Sequence, residues 1–272
     1  MNVRIKIFAS SSLLWLSIVV LICIFAPFLT RYDPHQPVGP PLSLPNAQWI
    51  FGTDALGRDI WTRIVYGARL SLSASILSAL LSIILGAIVG VISSSSPHWI
   101  DRFMMWFSNA LLSIPGLLLA MILVAGLGPG LLTVTLAVGI SGIPSFARIS
   151  RTIFLQTNSQ RYIQSARALG GGRLWIIRYH LIPNAFSQLL SFATVQVAWA
   201  FLGITTLTFL GMAGDPSTPE WGAMLNSGRL HLVEFPLLAI LSGGAITLTI
   251  MSIHNLGTWF SRSTDPIRRH QQ

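Results

Sequence analysis

Charge is scarce in this sequence: 9% of its 272 residues are Asp, Glu, Lys or Arg, against 52% hydrophobic. A soluble domain carries roughly a quarter. The composition therefore excludes an ordinary soluble fold and calls for an integral membrane protein. Cysteine occurs once, at Cys23 within an apolar run, which excludes an internal disulfide and any Cys-based metal site. Lysine also occurs once, at Lys6, so there is no G-x-x-x-x-G-K-[ST] loop to cradle a nucleotide phosphate. His35, His98, His180, His231, His254 and His270 are scattered, H-E-x-x-H is absent, and no Ser/His/Asp group emerges from the spacing. No metal, no cofactor held by this chain and no catalytic centre are expected. Acids inside the apolar runs are missing too, which removes the ionisable relay of a proton-coupled carrier.

What charge there is leans basic, 17 Lys+Arg against 8 Asp+Glu. Between Arg148 and Arg178 lie six arginines and no acid, flanked by apolar runs. Short basic loops remain on the cytoplasmic side of a membrane, so the excess reads as topology and not as nucleic-acid binding. A loop of about thirty residues also exceeds what a helix connection needs, leaving room for a partner to grip it.

Apolar runs near Phe8–Leu29, Leu70–Val91, Met104–Leu127, Leu131–Ala147, Leu189–Leu210 and Phe235–Trp259 predict six transmembrane helices in an all-α membrane fold. The fourth run is interrupted by Gly139, Gly142 and Pro144. With Arg4 and Lys6 inside, both termini and the 148–186 loop are expected on the cytoplasmic side of a bacterial inner membrane. The expected organisation is an N-terminal span over 1–30, an external proline-rich loop over 31–67, a core of five spans over 68–260 and a cytoplasmic tail over 261–272.

Within the basic loop, Tyr162–Leu169 favours a short helix with Ile163, Ala166 and Leu169 on one side. Gly170–Gly172 permit a reversal. Arg173–Leu181 reads as a second helix with a Leu174, Ile177, Leu181 stripe, ended by Pro183. The segment suits either docking to a protein or an amphipathic rest on lipid headgroups.

The run QSARALGGG followed by LIPNA resembles the signature of permease subunits of bacterial ABC importers, E-A-A-x-x-x-G, a spacer of about nine residues, an apolar residue and L-P. In that family the loop forms coupling helices that dock into a groove of the ATPase subunit. The resemblance assigns this role to Gln164, Ser165, Ala166, Ala168, Leu169, Gly170, Arg173, Ile182 and Pro183, with Gln164 in place of the usual Glu and Ser165 in place of Ala. FGTDALGRDIWTRIVYGARLSL over Phe51–Leu72 and LTFLGMAGDPSTPEWGAMLNSGR over Leu207–Arg229 resemble two segments of the dipeptide/oligopeptide/nickel group, and Asp265-Pro266 echoes its terminal D-P-R. The chain is similar to the second permease of the pair that such systems use. The resemblance implies a homologous permease, two ATP-binding subunits that hold ATP and magnesium, an external solute-binding protein and the surrounding lipid as partners. The cargo would be peptides or nickel and other metal chelates. The alternative is a self-contained secondary carrier or channel, which predicts buried charges and inverted repeats.

Asp54, Arg58 and Asp59 are candidates for an outer gate or a binding-protein contact, with a self-contained turn, in which Asp54 caps a short helix and Gly57 relieves a bend, as the favoured reading. Trp221 is a candidate for the outer mouth and equally suits an anchor for a re-entrant loop at the headgroup level. Asn109, Gln196 and Trp199 are candidates for the translocation path. Polar groups in a span otherwise pair between helices, and aromatic residues at helical spacing pack.

Overall fold

A computed structural model describes residues 3–264, so Asp265-Pro266 and the basic tail beyond lie outside the described residues. The elements are α1 (Val3–Leu29), α2 (Ile60–Ser95), α3 (His98–Leu112), α4 (Gly116–Leu127), α5 (Leu131–Asn158), α6 (Arg161–Ala168), α7 (Arg173–Ile176), a π-helical turn (Ile177–Leu181), α8 (Ile182–Phe209), α9 (Trp221–Arg229) and α10 (Leu237–Thr264). The fold is an all-helical membrane bundle. Five helical stretches are long and apolar enough to cross a membrane, and α3 with α4 makes up to a sixth. One end of the bundle carries the proline-rich segment 30–59 and the segment 210–236; the other carries the turn at 93–97 and the hairpin between α5 and α8.

Four elements differ from the sequence expectation. The second span starts at Ile60, ten residues before Leu70, because Asp59 caps it: its carboxylate accepts from the Thr62 amide at 2.8 Å and the Thr62 hydroxyl at 2.6 Å. At 36 residues α2 is about 54 Å long, well beyond a hydrocarbon core of about 30 Å. The third span is broken, with α3 and α4 meeting at 86°. Pro115 has no amide hydrogen to continue α3 and instead precedes a fresh helix, its carbonyl accepting from Leu119 at 3.0 Å.

The fourth span, by contrast, is not interrupted. α5 runs through Pro144 to Asn158, eleven residues past Ala147. Its glycines serve packing: a Cβ on Gly142 would stand 2.4 Å from Ser82 Oγ and 3.1 Å from Ser82 Cβ, so glycine there eases the close approach of α2 and α5. Ser82 Oγ donates to Gly139 O at 2.7 Å and Ser150 Oγ to Gly86 O at 3.0 Å, stitching α2 to α5. Small residues bring backbones close without a hydrophobic drive between helices. Finally, Pro183 does not end the helix before it. A π turn over Ile177–Leu181 widens the spiral by one residue, and α7 passes through it into α8 as one 37-residue stretch, Arg173–Phe209. Wider turns of this kind absorb a local mismatch in the hydrogen-bond ladder.

Candidate functional site

At the hairpin end, α6 and α7 fold back on each other through Leu169–Gly172. The closure is a Schellman motif: Gly171 N–H donates to Ala166 O at 3.0 Å and Gly170 N–H to Arg167 O at 2.9 Å. Gly170 has φ +86°, a left-handed conformation costing an L side chain about 1–2 kcal/mol. A Cβ on Gly171 would come within 2.7 Å of Ala166 O. Ile163 is fully buried and seats α6, while Ile176 and Leu181 seat the return arm of the hairpin. Spacing groups Leu174 with Leu181, but Leu174 is 81% exposed, and Leu169 is 89% exposed. The π turn shifts the face, so the buried pair is Ile176 and Leu181.

Gln164 Nε2 donates to Ser159 O at 3.2 Å, a bond that an ionised glutamate has no hydrogen to make. Ser165 turns its hydroxyl back to Arg161 O at 3.1 Å. A shallow depression of about 640 Å³ lies between the two arms, lined by Tyr162, Ser165, Ala166, Leu169, the three glycines, Trp175 and His180. Trp175 meets His180 edge-on at 4.7 Å, and His180 Nε2 is buried there with no hydrogen-bond partner among the described residues. Of the residues expected in this loop, Gln164, Ser165, Ala166, Ala168, Leu169, Gly170 and Arg173 therefore sit on or beside one exposed hairpin. Ile182 and Pro183 lie in the first turn of α8. Sequence reasoning does not single out Trp175 and His180; an aromatic residue five positions before a histidine in a helix stem is the available signal.

Elsewhere, α4, α5 and α8 line an open-sided cavity of about 450 Å³. Gln196 and Trp199 both line it, together with Ser141, Gly142 and Thr206. Asn109 is exposed on α3 and is not in the lining.

At the opposite end, Asp54, Arg58 and Asp59 are buried. Asp54 accepts from the Leu56 and Arg58 amides, each at 2.9 Å, and from Arg58 Nε at 2.8 Å. Arg63 Nε lies 3.4 Å from the same carboxylate, and its guanidinium donates to the carbonyls of Pro34 and Ser217, each at 2.9 Å. Asp54 thus organises a turn while Asp59 caps the helix. Trp221 packs edge-on against Phe201 and donates to Ile64 O at 2.9 Å. Beside it, Glu220 is fully buried. Its carboxylate takes the Ser71 hydroxyl at 2.8 Å and the Ala223 amide at 3.0 Å, which caps α9. Burial pushes the Glu220 carboxyl up from its ordinary range, while these hydrogen bonds pull it back. Sequence reasoning misses Glu220; an acid directly before W-G at a helix start is its signal.

A bundle of broken and glycine-packed helices with a glycine-closed hairpin at one end defines a class of membrane permease. Residues 82–265 match the family described as binding-protein-dependent transport system inner membrane component, and the chain belongs to that family. It is 37% identical over 250 residues to the glutathione transport system permease protein GsiD of Salmonella paratyphi A, covering 91% of this chain and 82% of that one. The counterpart from Shigella flexneri serotype 5b is 34% identical over 260 residues, covering 95% and 86%. Among solved structures, an inward-facing conformation of the MetNI methionine ABC transporter shares the fold with TM-score 0.63, 18% identity and 75% and 96% coverage. An amino acid ABC transporter crystallised with histidines does so with TM-score 0.57, 16% identity and 74% and 94% coverage.

The chain is therefore the permease subunit of a binding-protein-dependent ABC importer and a multi-pass membrane protein. Membership implies a second permease, ATPase subunits and a binding protein as its partners, with ATP hydrolysis outside this chain.

Proposed function

We propose that the hairpin spanning Gln164–Pro183 receives the stroke of two ATP-binding subunits, and that small peptides of the glutathione kind cross beside Gln196 and Trp199. The observation that carries this reading is the pairing of a backbone-fixed turn with outward-facing Leu169 and Leu174. A rigid shape with exposed apolar tips is what a protein groove can hold; a lipid-resting loop would turn its apolar side toward the bundle's membrane flank. The named relatives, which transport glutathione, favour a peptide over a nickel or metal chelate. Among the described residues no group of three metal-binding side chains is present to receive a bare ion.

In this reading the termini and hairpin face the cytoplasm of the inner membrane. A homologous permease completes the path, an external binding protein delivers the cargo to the 30–59 and 210–236 side, and ATP and magnesium stay in the ATPases. ATP must bind one conformation better than the other for the stroke to shift the population. The hairpin is where that difference reaches this subunit. The decisive variant is Gly170→Trp, which puts a bulky side chain at a left-handed position. We expect this chain to insert and pair with the second permease while ATP-dependent uptake of glutathione or dipeptides into proteoliposomes is lost. Uptake at the unaltered rate would reject the assignment.

A further inference from the structure

The hairpin end of the molecule holds many arginines and, among the described residues, a single acid, Asp101 in the first turn of α3. That acid is committed to one arginine. Arg151 on α5 grips it with two parallel bonds, Nε to Oδ1 and a terminal nitrogen to Oδ2, each at 2.6 Å. The Ser93 hydroxyl at the end of α2 donates to the same Oδ1. The side chains are 14% and 28% exposed, so solvent screens this pair only in part. Two-pronged arginine–carboxylate contacts fix geometry as well as energy.

Two neighbouring facts give the clamp a purpose. First, α5 carries the hairpin: Arg151 stands two turns before its end at Asn158, and α6 follows after two residues. The turn that precedes α3 is touched by the hairpin again, where Arg173 donates to Ser96 Oγ at 3.2 Å. Second, α3 is otherwise loosely held. Ser108 is its one buried residue, and a void of about 220 Å³ separates it from α2 and α5. Among the described residues, every side-chain hydrogen bond from α3 to another helix ends on Asp101. Beyond its far end lies the 86° bend, and beyond the bend α4 supplies Gly116, Leu117 and Ala120 to the cavity it shares with α5 and α8.

We infer that Asp101 and Arg151 are positioning residues that join the hairpin-bearing arm of α5 to the α3–α4 wall of the cavity. A displacement of the arm is delivered to the inner end of α3, and the bend at Ser113–Pro115 converts it into movement of α4. Without the clamp the arm slides past α3 and the cavity wall stays behind. This rests on the coupling role of the hairpin proposed above.

The test uses the whole transporter, both permeases with the ATPases, in proteoliposomes. Cys23→Ser removes this chain's own thiol, and Leu117→Cys reports from the cavity wall through its labelling rate by a maleimide, read on this chain by mass. In the parent, ATP–magnesium with vanadate changes that rate relative to no nucleotide. Asp101→Asn is expected to leave ATPase co-purification and basal hydrolysis in place while the nucleotide effect on labelling of the introduced thiol disappears. Arg151→Lys, which keeps the charge but loses the fork, is expected to diminish the effect and serves where the first variant fails to assemble. The exchange Asp101→Arg with Arg151→Asp should restore it in part, by rebuilding the ion pair with its ends reversed. A nucleotide effect of parental size in both single variants overturns the inference. Gly170→Trp in the same background separates the two claims: if it too keeps the parental effect, the hairpin reading fails; if it alone loses the effect, only the clamp is wrong.

Discussion

The two ends of this subunit treat their charges in opposite ways. At the proline-rich end Asp54, Arg58, Arg63 and Glu220 are buried and bonded to one another, to backbone from distant parts of the chain or, for Glu220, to the Ser71 hydroxyl. At the hairpin end Arg161, Arg167, Arg173 and Arg178 stand among exposed Leu169 and Leu174 and turn little of their charge inward. Both ends carry recognisable motifs, but for different physical reasons. One motif encodes a fold that closes on itself; the other encodes a surface left open, which the coupling role proposed above fills with another protein.

The sharpest way to break that contrast is to remove a buried charge. Arg63→Leu takes one of two arginines from beside Asp54 and a donor from the carbonyls of Pro34, Ser217 and Thr218, so the isolated subunit should lose about 3–5 kcal/mol, read as a lower melting temperature in detergent. Glu220→Ala should cost less, about 2 kcal/mol, through the lost cap of α9 and the stranded Ser71 hydroxyl. Glu220→Gln keeps the shape and should cost under about 1 kcal/mol. It should also change the pH response. Burial raises the carboxyl's pKa in the folded state, so its contribution is fully present below the ordinary carboxylate range and fades as pH rises through the raised value. The glutamine variant should lack that decline across the same range of melting curves. At the other extreme, Leu169→Asp should leave the melting temperature of the isolated subunit unchanged, since the side chain touches little of its own chain. Co-purification of the ATPase subunits should fall sharply. A destabilised subunit with intact ATPase binding would reverse the contrast.

Much of this was legible in the sequence. Apolar runs placed the spans, and glycines placed the reversal at Gly170. The first hairpin helix, Arg161–Ala168, falls where Tyr162–Leu169 was expected, and the second starts at Arg173 as expected but runs on past Leu181 into α8. What escaped depended on tertiary partners. Pro144 and Pro183 read as breaks because local rules count only the missing amide hydrogen; a continuous helix at one and a π turn at the other dispose of it. The bend after Leu112 was hidden because an apolar stretch looks uniform whether straight or folded. Leu174 leaves the apolar stripe expected with Ile177 and Leu181 because the segment departs from 3.6 residues per turn. Asp101, Arg151 and Glu220 carry no motif by themselves. Their importance comes from the scarcity of acids in a membrane bundle, which makes each remaining one worth tracing to its partner.

The hairpin's reversal is held by main-chain atoms, Gly170 and Gly171 to Arg167 and Ala166, and hardly by side chains. Its outline is thus insulated from substitution at 164 and 165, where this sequence bears an amide and a hydroxyl. Under the coupling role proposed above, substitution there would retune how firmly a motor subunit holds on while the hairpin keeps its form. On that reading, compatibility between motor and permease would drift gradually, with no step that demands a new architecture.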